Sequence, residues 1–203
     1  MNAQKVRIPV LAACFAAVSM AVPAIAQTLT PAASVSSALS RIHIGNFGKI
    51  NDHYFRGSQP KGSDYSDLAA LGVKTVIDLQ VDGPSNEAGI VTAAGMKFFR
   101  IGMTTSKAPT DAQVAQFFEI VNNPANQPVY VHCAGGRHRT GTMTALYRMT
   151  FEGWNASQAY SEMKQFHFEG FPDHPVLRNY VYAYKPALPK QPAVLATSIV
   201  TTK

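Results

Sequence analysis

The chain has 203 residues and a mass of 21.9 kDa, with 46% hydrophobic and 15% charged residues. That is enough apolar material for one packed domain and excludes wholesale disorder. Eighteen Lys and Arg against twelve Asp and Glu give a net charge of +6 without a Lys/Arg run, which argues against a dedicated nucleic-acid binder and suits a small anionic ligand. Two cysteines, Cys14 and Cys133, exclude a disulfide scaffold and a cysteine-based zinc site.

Residues 1–26 read as a secretory signal peptide. Lys5 and Arg7 supply its positive end, Ile8 to Val22 its apolar stretch, and Ala24-Ile25-Ala26 a small-x-small cleavage site with Gln27 as the first mature residue. The apolar run falls short of the roughly 20 residues of a spanning helix, so no stable membrane span is expected after cleavage. Leu11-Ala12-Ala13-Cys14 has the look of a lipoprotein site, but the apolar run continues well past Cys14. The signal resembles a bacterial one, and the mature protein is expected in the periplasm or outside the cell. Loss of Lys5 and Arg7 would leave a charge of +4 and Cys133 as the one cysteine. A lone thiol in an oxidising compartment needs either burial or a job.

Residues 27–40, rich in Thr, Ala and Ser, read as a flexible lead-in, and 186–203, opening with Pro186-Ala187-Leu188-Pro189, as a flexible tail. One domain remains, 41–185. Residues 42–44 and 53–55 are short strand candidates around a turn at Asn51-Asp52. A helix is predicted over 64–71, stopped by Gly72, and a β-branched strand over 73–79. A helix over 85–94, stopped by Gly95, and a strand over 97–101 follow. Thr110 caps a helix whose Val114, Phe117, Phe118 and Val121 form one apolar face. A short strand over 128–132 leads into a helix over 140–152; Asn155 caps another that runs to Phe166, and a last helix starts near Asp173 or His174 and ends near Tyr184. Alternating strands and helices predict a single α/β domain with a central, mostly parallel sheet flanked by helices. Ligands of such folds bind at the carboxyl ends of the strands, which is where Cys133 falls.

The segment His132-Cys133-Ala134-Gly135-Gly136-Arg137-His138-Arg139-Thr140-Gly141 follows a strand and opens a helix. A thiol beside basic residues and a helix N-terminus is favoured as thiolate. Gly135 and Gly136 allow a tight loop with its N–H groups turned inward as an anion nest, to which the helix adds its own N–H groups. Arg139 can grip two oxygens of a phosphate, and Thr140 can offer a hydroxyl to the sulfur. A buried structural cysteine would explain neither the glycines nor the spacing of Arg139.

The pattern His-Cys-x5-Arg-Thr-Gly resembles the active-site signature of the cysteine-dependent protein tyrosine phosphatase superfamily. Phe55-Arg56-Gly57-Ser58-Gln59-Pro60 and Leu71-Gly72-Val73-Lys74-Thr75-Val76-Ile77-Asp78-Leu79 are similar to segments of its dual-specificity-like branch, so the resemblance covers about residues 41 to 185, nearly the whole domain. It implies a phosphate-binding loop between a strand and a helix, and phosphate monoester hydrolysis through a phosphocysteine, with no metal or other cofactor. Carried over residue by residue, Cys133 is the nucleophile and Arg139 the phosphate clamp. Ala134, Gly135, Gly136, Arg137, His138, Arg139 and Thr140 hold the phosphate, and Thr140 eases departure of the sulfur.

The branch places an aspartic general acid about thirty residues before the cysteine, but Ile101 to Thr110 contains no acid. Asp111 is the nearest candidate; complementing the dipole of its own helix is the alternative role. Asp82, Glu87 and His138 are further candidates for the proton. Arg137 and His138 make the loop more basic than a typical phosphotyrosine loop, and Gly-x-His-Arg-Thr-Gly is similar to plant- and fungal-like members, some of which act on inositol polyphosphates. The expected partners are therefore a phosphorylated protein or a small phosphorylated ligand, not nucleic acid. A module that binds phosphate without turning it over, or a redox-sensing thiol, are the competing functions. His167, Glu169, Asp173 and His174 lie close in sequence, but Gly170 and Pro172 break any fixed metal-ligand spacing. Trp154 is expected to anchor a helix junction, and His43 and His53 to lie on the surface.

Overall fold

The computed structural model describes residues 39–169 and 174–186. The predicted signal peptide and almost all of the lead-in and tail, with Asp173, lie outside them. The elements in chain order are β1 (Gly48–Asn51), β2 (Tyr54–Ser58), α1 (Asp64–Ala70), β3 (Thr75–Gln80), α2 (Glu87–Ala93), β4 (Lys97–Met103), α3 (Asp111–Asn122), a 3-10 turn (Pro124–Asn126), β5 (Val129–Cys133), α4 (His138–Phe151), α5 (Ala156–Gln165) and α6 (Pro175–Ala183).

The five strands lie in the order β1-β2-β5-β3-β4, and only β1 runs antiparallel to its neighbour. β5 sits at the centre, paired in parallel with β2 on one side and β3 on the other. All five of its residues are buried, as expected of a strand covered on both faces. Alternation along the strands sorts the core into two layers. Tyr54, Ile77, Leu79, Val129 and Val131 point toward α3, α4, α5 and α6, where they meet Phe117, Met143, Leu146, Met163 and Leu177. Phe55, Val76 and Tyr130 point the other way, against Tyr65 and Leu68 of α1 and Val91 of α2.

The predicted helix starts hold at the residues that carry caps. Thr110 accepts a bond from the Gln113 N–H while the Gln113 side chain accepts from the Thr110 N–H, and Asn155 and Gln158 repeat the same reciprocal box. Trp154 packs against the larger core layer, with the Arg148 guanidinium 4.4 Å from its ring centroid. His43 and His53 are exposed.

One predicted strand is corrected. Residues 42–44 form no strand; Ile44 packs as loop against the α1–α2 layer. The strand that pairs with β2 comes four residues later, as the edge strand Gly48–Asn51, and turns at Asp52 and His53 into β2.

The parallel strands all end on the same side, at Ser58, Cys133, Gln80 and Met103. The loops leaving those four ends build the site.

Candidate active site

Cys133 is the last residue of β5 and is 3% exposed. The chain then loops through Ala134 to Arg137 into α4, whose second residue is Arg139. The loop is held from outside by its carbonyls. The Gln59 N–H donates to the Ala134 carbonyl at 3.2 Å. Asn46 Nδ2 donates to the carbonyls of Gly135 (3.3 Å) and Gly136 (3.0 Å), and reaches the Phe166 carbonyl at 2.9 Å as well. Arg56 Nη2 donates to the Gly136 carbonyl. In a planar trans peptide the carbonyl and the following N–H point in opposite directions. Three carbonyls turned out to the scaffold therefore turn the N–H groups of Gly135, Gly136 and Arg137 toward the loop's centre, which is the geometry of an anion nest.

Gly136 makes this shape possible. Its φ is +64°, and a Cβ there would lie 2.4 Å from the carbonyl carbon and oxygen of Gly57. Gly57 is itself hemmed in, since a Cβ on its position would meet the Tyr130 hydroxyl at 2.3 Å. Two glycines on adjacent chain segments thus let the loop sit directly on β2.

Arg56 is a functional residue whose role the motif alone does not reveal. Its side chain has no exposure, its guanidinium lies 4.0 Å from the Phe166 ring centroid, and burial draws its pKa down. It spends that charge on the Gly136 carbonyl. Asn46 was not singled out from the sequence either. The signal was there, since Asn tolerates the left-handed region better than other non-glycine residues, and Asn46 has a φ of +56°.

Arg139 is nearly buried. Its Nη1 donates to Asp82 Oδ1 and to the Met103 carbonyl, both at 3.2 Å. Its Nε has no partner among the described residues, and neither has the buried hydroxyl of Thr140. A guanidinium held at one nitrogen with another donor unused is prepared for oxyanion oxygens. Arg137 is exposed, and the His138 ring packs 3.8 Å from that of His174 and 5.4 Å from that of Phe168.

Behind Cys133 lies a buried polar network. His132 Nε2 is 3.1 Å from Glu87 Oε1, and its Nδ1 is 3.9 Å from Asp78 Oδ1. Glu87 accepts from Gln59 Nε2 (2.6 Å) and the Tyr65 hydroxyl (3.0 Å). Asp78 accepts from Arg100 Nε (2.7 Å) and the Gln80 N–H (2.9 Å). Burial pushes the Glu87 carboxyl up, but His132, Gln59 and Tyr65 outweigh it and hold the group below the usual carboxylate range. Asp78, Glu87 and His132 are also close enough together to suggest a cation site. The carboxylate oxygens, however, already accept from Arg100, Gln80, Gln59 and Tyr65, so the cluster is built as a hydrogen-bonded support for the strand that carries Cys133.

The candidate acids separate in space. Asp111 opens α3 and lines a groove of about 550 Å³ with Val114, Phe118, Tyr180 and Tyr184. Among the described residues no hydrogen bond or ion pair joins it to the phosphate loop. Glu87 is enclosed behind the loop, while Asp82 touches the loop's arginine.

A thiol at the floor of an arginine-closed anion loop, on the carboxyl edge of a parallel sheet, defines a cysteine-dependent phosphatase of the protein tyrosine phosphatase type. Residues 39–176 match the family described as "DSP-PTPase phosphatase fused to NAD+ Kinase", and the chain belongs to that family. It is 31% identical over 126 residues to "Probable tyrosine-protein phosphatase DG1060" of Dictyostelium discoideum, covering 60% of this chain and 75% of the relative. It is 30% identical over 129 residues to "Inositol diphosphatase SIW14" of Saccharomyces cerevisiae, covering 61% of this chain but only 46% of the relative. The core catalytic domain of SIW14 superposes with a TM-score of 0.61 at 25% identity, covering 70% of this chain and 87% of that one. TpbA of P. aeruginosa superposes at 0.60 with 24% identity, covering 69% and 85%, a likeness of fold.

Proposed function

We propose that the protein hydrolyses phosphate monoesters outside the cytoplasm through a phosphocysteine at Cys133. The observation that carries this reading is the pairing of a floor thiol with an unspent Arg139 Nε across a loop whose Ala134, Gly135 and Gly136 carbonyls are turned outward. A phosphoryl group in that loop would receive the N–H groups of Gly135, Gly136 and Arg137 and the Arg139 fork on its equatorial oxygens. Cys133 Sγ attacks phosphorus from below, the ester oxygen departs on the opposite side, and water then hydrolyses the thiophosphate. The buried Thr140 hydroxyl, which has no hydrogen-bond partner among the described residues, would stabilise the departing sulfur. The chain's own donors supply the charge stabilisation, so the proposed reaction proceeds with chelator present.

The substrate class we favour is an aryl phosphate of the phosphotyrosine kind. Inositol diphosphates are the second reading, favoured by the exposed guanidinium of Arg137 at the rim and by the name of the yeast relative. Comparing kcat/KM for a phosphotyrosine peptide and for an inositol pyrophosphate, with wild type and Arg137→Ala, separates the two. A preference for the inositol ligand that collapses in the variant would favour the second reading. Export rests on Lys5, Arg7, the apolar stretch and Ala24-Ile25-Ala26. Mature protein recovered from the periplasm or medium with Gln27 as its first residue is the expected result; a cytoplasmic protein retaining residues 1–26 would contradict it.

A further inference from the structure

We propose that Asp82 is the proton donor to the leaving oxygen, and that the incoming phosphate frees it from Arg139. The proposal rests on the phosphatase reading above and assigns the step that reading leaves without a residue.

The loop after β3 is built to hold Asp82 in place. Gly83 packs so tightly on the Asp78–Arg100 pair that a Cβ there would lie 2.2 Å from Asp78 Oδ2 and 2.9 Å from Arg100 Nη2. The next residue, Pro84, gives its carbonyl to Arg100 Nη2 at 2.7 Å. With its two following neighbours pinned to the scaffold, Asp82 projects over the phosphate loop and sets Oδ1 3.2 Å from Arg139 Nη1. Its side chain is 75% exposed, so it stands at the mouth of the site, opposite the nearly enclosed Cys133.

That position suits the chemistry. In an in-line displacement the attacking sulfur and the leaving oxygen lie on opposite sides of phosphorus, with the equatorial oxygens between them. Cys133 is at the floor, so the leaving oxygen points to the mouth. Arg139 grips the equatorial oxygens, and a carboxyl within hydrogen-bond distance of that guanidinium is one atom layer from the apical oxygen. Among the described residues, the other candidate carboxylates do not compete for this place. The neighbouring loop, Thr104 to Thr110, carries none, Glu87 is enclosed behind the strand, and Asp111 faces the groove lined by Tyr180 and Tyr184.

In the free protein the Arg139 hydrogen bond, helped by the backbone of Asp82 itself, holds the Asp82 carboxyl below its usual range. A bound phosphoryl group takes over the guanidinium and adds negative charge beside the carboxyl, and both changes favour the protonated form. The first half-reaction then forms the Sγ–P bond as the P–O ester bond breaks, and the ester oxygen leaves with the Asp82 proton. In the second half the Asp82 carboxylate takes a proton from water as the water oxygen bonds to phosphorus. The Sγ–P bond breaks and its electron pair returns to sulfur.

The test compares phenyl phosphate, a poor leaving group, with p-nitrophenyl phosphate, a good one, in wild type, Asp82→Asn, Asp111→Asn and Cys133→Ser. General acids contribute about 10²- to 10⁴-fold. Asp82→Asn is expected to lose roughly that factor on phenyl phosphate and about tenfold or less on p-nitrophenyl phosphate, while Asp111→Asn shows no such split. The same Asp82→Asn protein should bind vanadate more tightly, because a neutral amide competes for Arg139 less strongly than a carboxylate and no longer repels the anion. Equal losses on the two esters in Asp82→Asn, or a leaving-group split that appears in Asp111→Asn instead, would overturn the assignment. Wild-type turnover that survives Cys133→Ser would remove the phosphatase reading itself, and the role of Asp82 with it.

Discussion

Replacing Gly136 with alanine tests the loop geometry at its tightest point. A non-glycine residue in the left-handed region costs about 1–2 kcal/mol. The added Cβ would also sit 2.4 Å from the Gly57 carbonyl and 2.7 Å from the Ser58 nitrogen, all backbone atoms. β2 cannot move aside, because Gly57 and Ser58 are paired with His132 and Cys133 of the central strand and Tyr130 fills the space beside Gly57. The loop must therefore lift by about an ångström, and a misplacement of that size costs about 10²-fold in rate. Chemical denaturation should show a loss of about 1–3 kcal/mol. Vanadate binding followed by calorimetry and p-nitrophenyl phosphate turnover should both fall by about two orders of magnitude. A Gly136→Ala protein that binds vanadate and turns over substrate like wild type would refute the argument that the loop is locked against β2.

Glu87→Gln keeps the size of the buried group but removes the charge facing His132 and Arg100, and should cost about 1–3 kcal/mol at neutral pH. Because the folded protein holds the Glu87 carboxyl below its usual range, its contribution is present above about pH 4.3 and is lost as the pH falls through the lower folded value. Wild type and Glu87→Gln should therefore converge in stability toward acid, in urea titrations run across pH; a gap that widens toward acid would contradict this. Asn155→Ala removes the cap at the start of α5, the end opposite Phe166, and should lower stability by about 1 kcal/mol while leaving kcat unchanged; a changed kcat would show that the cap, and not only Phe166, is coupled to the loop.

How much of the site was legible in the sequence depended on chain separation. Cys133, the loop glycines and Arg139 lie within seven consecutive residues, so their local pattern could be read directly, as could the helices opened by Thr110 and Asn155, where cap and first turn are contiguous. The contact of Asp82 with Arg139 spans 57 positions and that of Asn46 with the Gly136 carbonyl spans 90. No periodicity or spacing reports such pairs; they exist because parallel strands bring their carboxyl ends together. Asp111 read as the acid candidate because it lies closest before the cysteine in the chain, yet α3 carries it to the groove shared with α6. β1 was displaced for a related reason. Ile42 to Ile44 has the apolar character of a strand, whereas Gly-Lys-Ile-Asn at 48–51 becomes one through its hairpin pairing with β2.

The central claim, that Cys133 carries the phosphoryl group, is tested most directly by trapping it. Wild-type protein mixed with p-nitrophenyl phosphate in the presence of chelator, quenched in acid within a turnover, and mapped by peptide mass spectrometry should carry phosphate on the peptide containing Cys133. Cys133→Ser should show neither the adduct nor turnover while still binding vanadate. Turnover with no phosphate on that peptide, or turnover that persists in Cys133→Ser, would contradict the account.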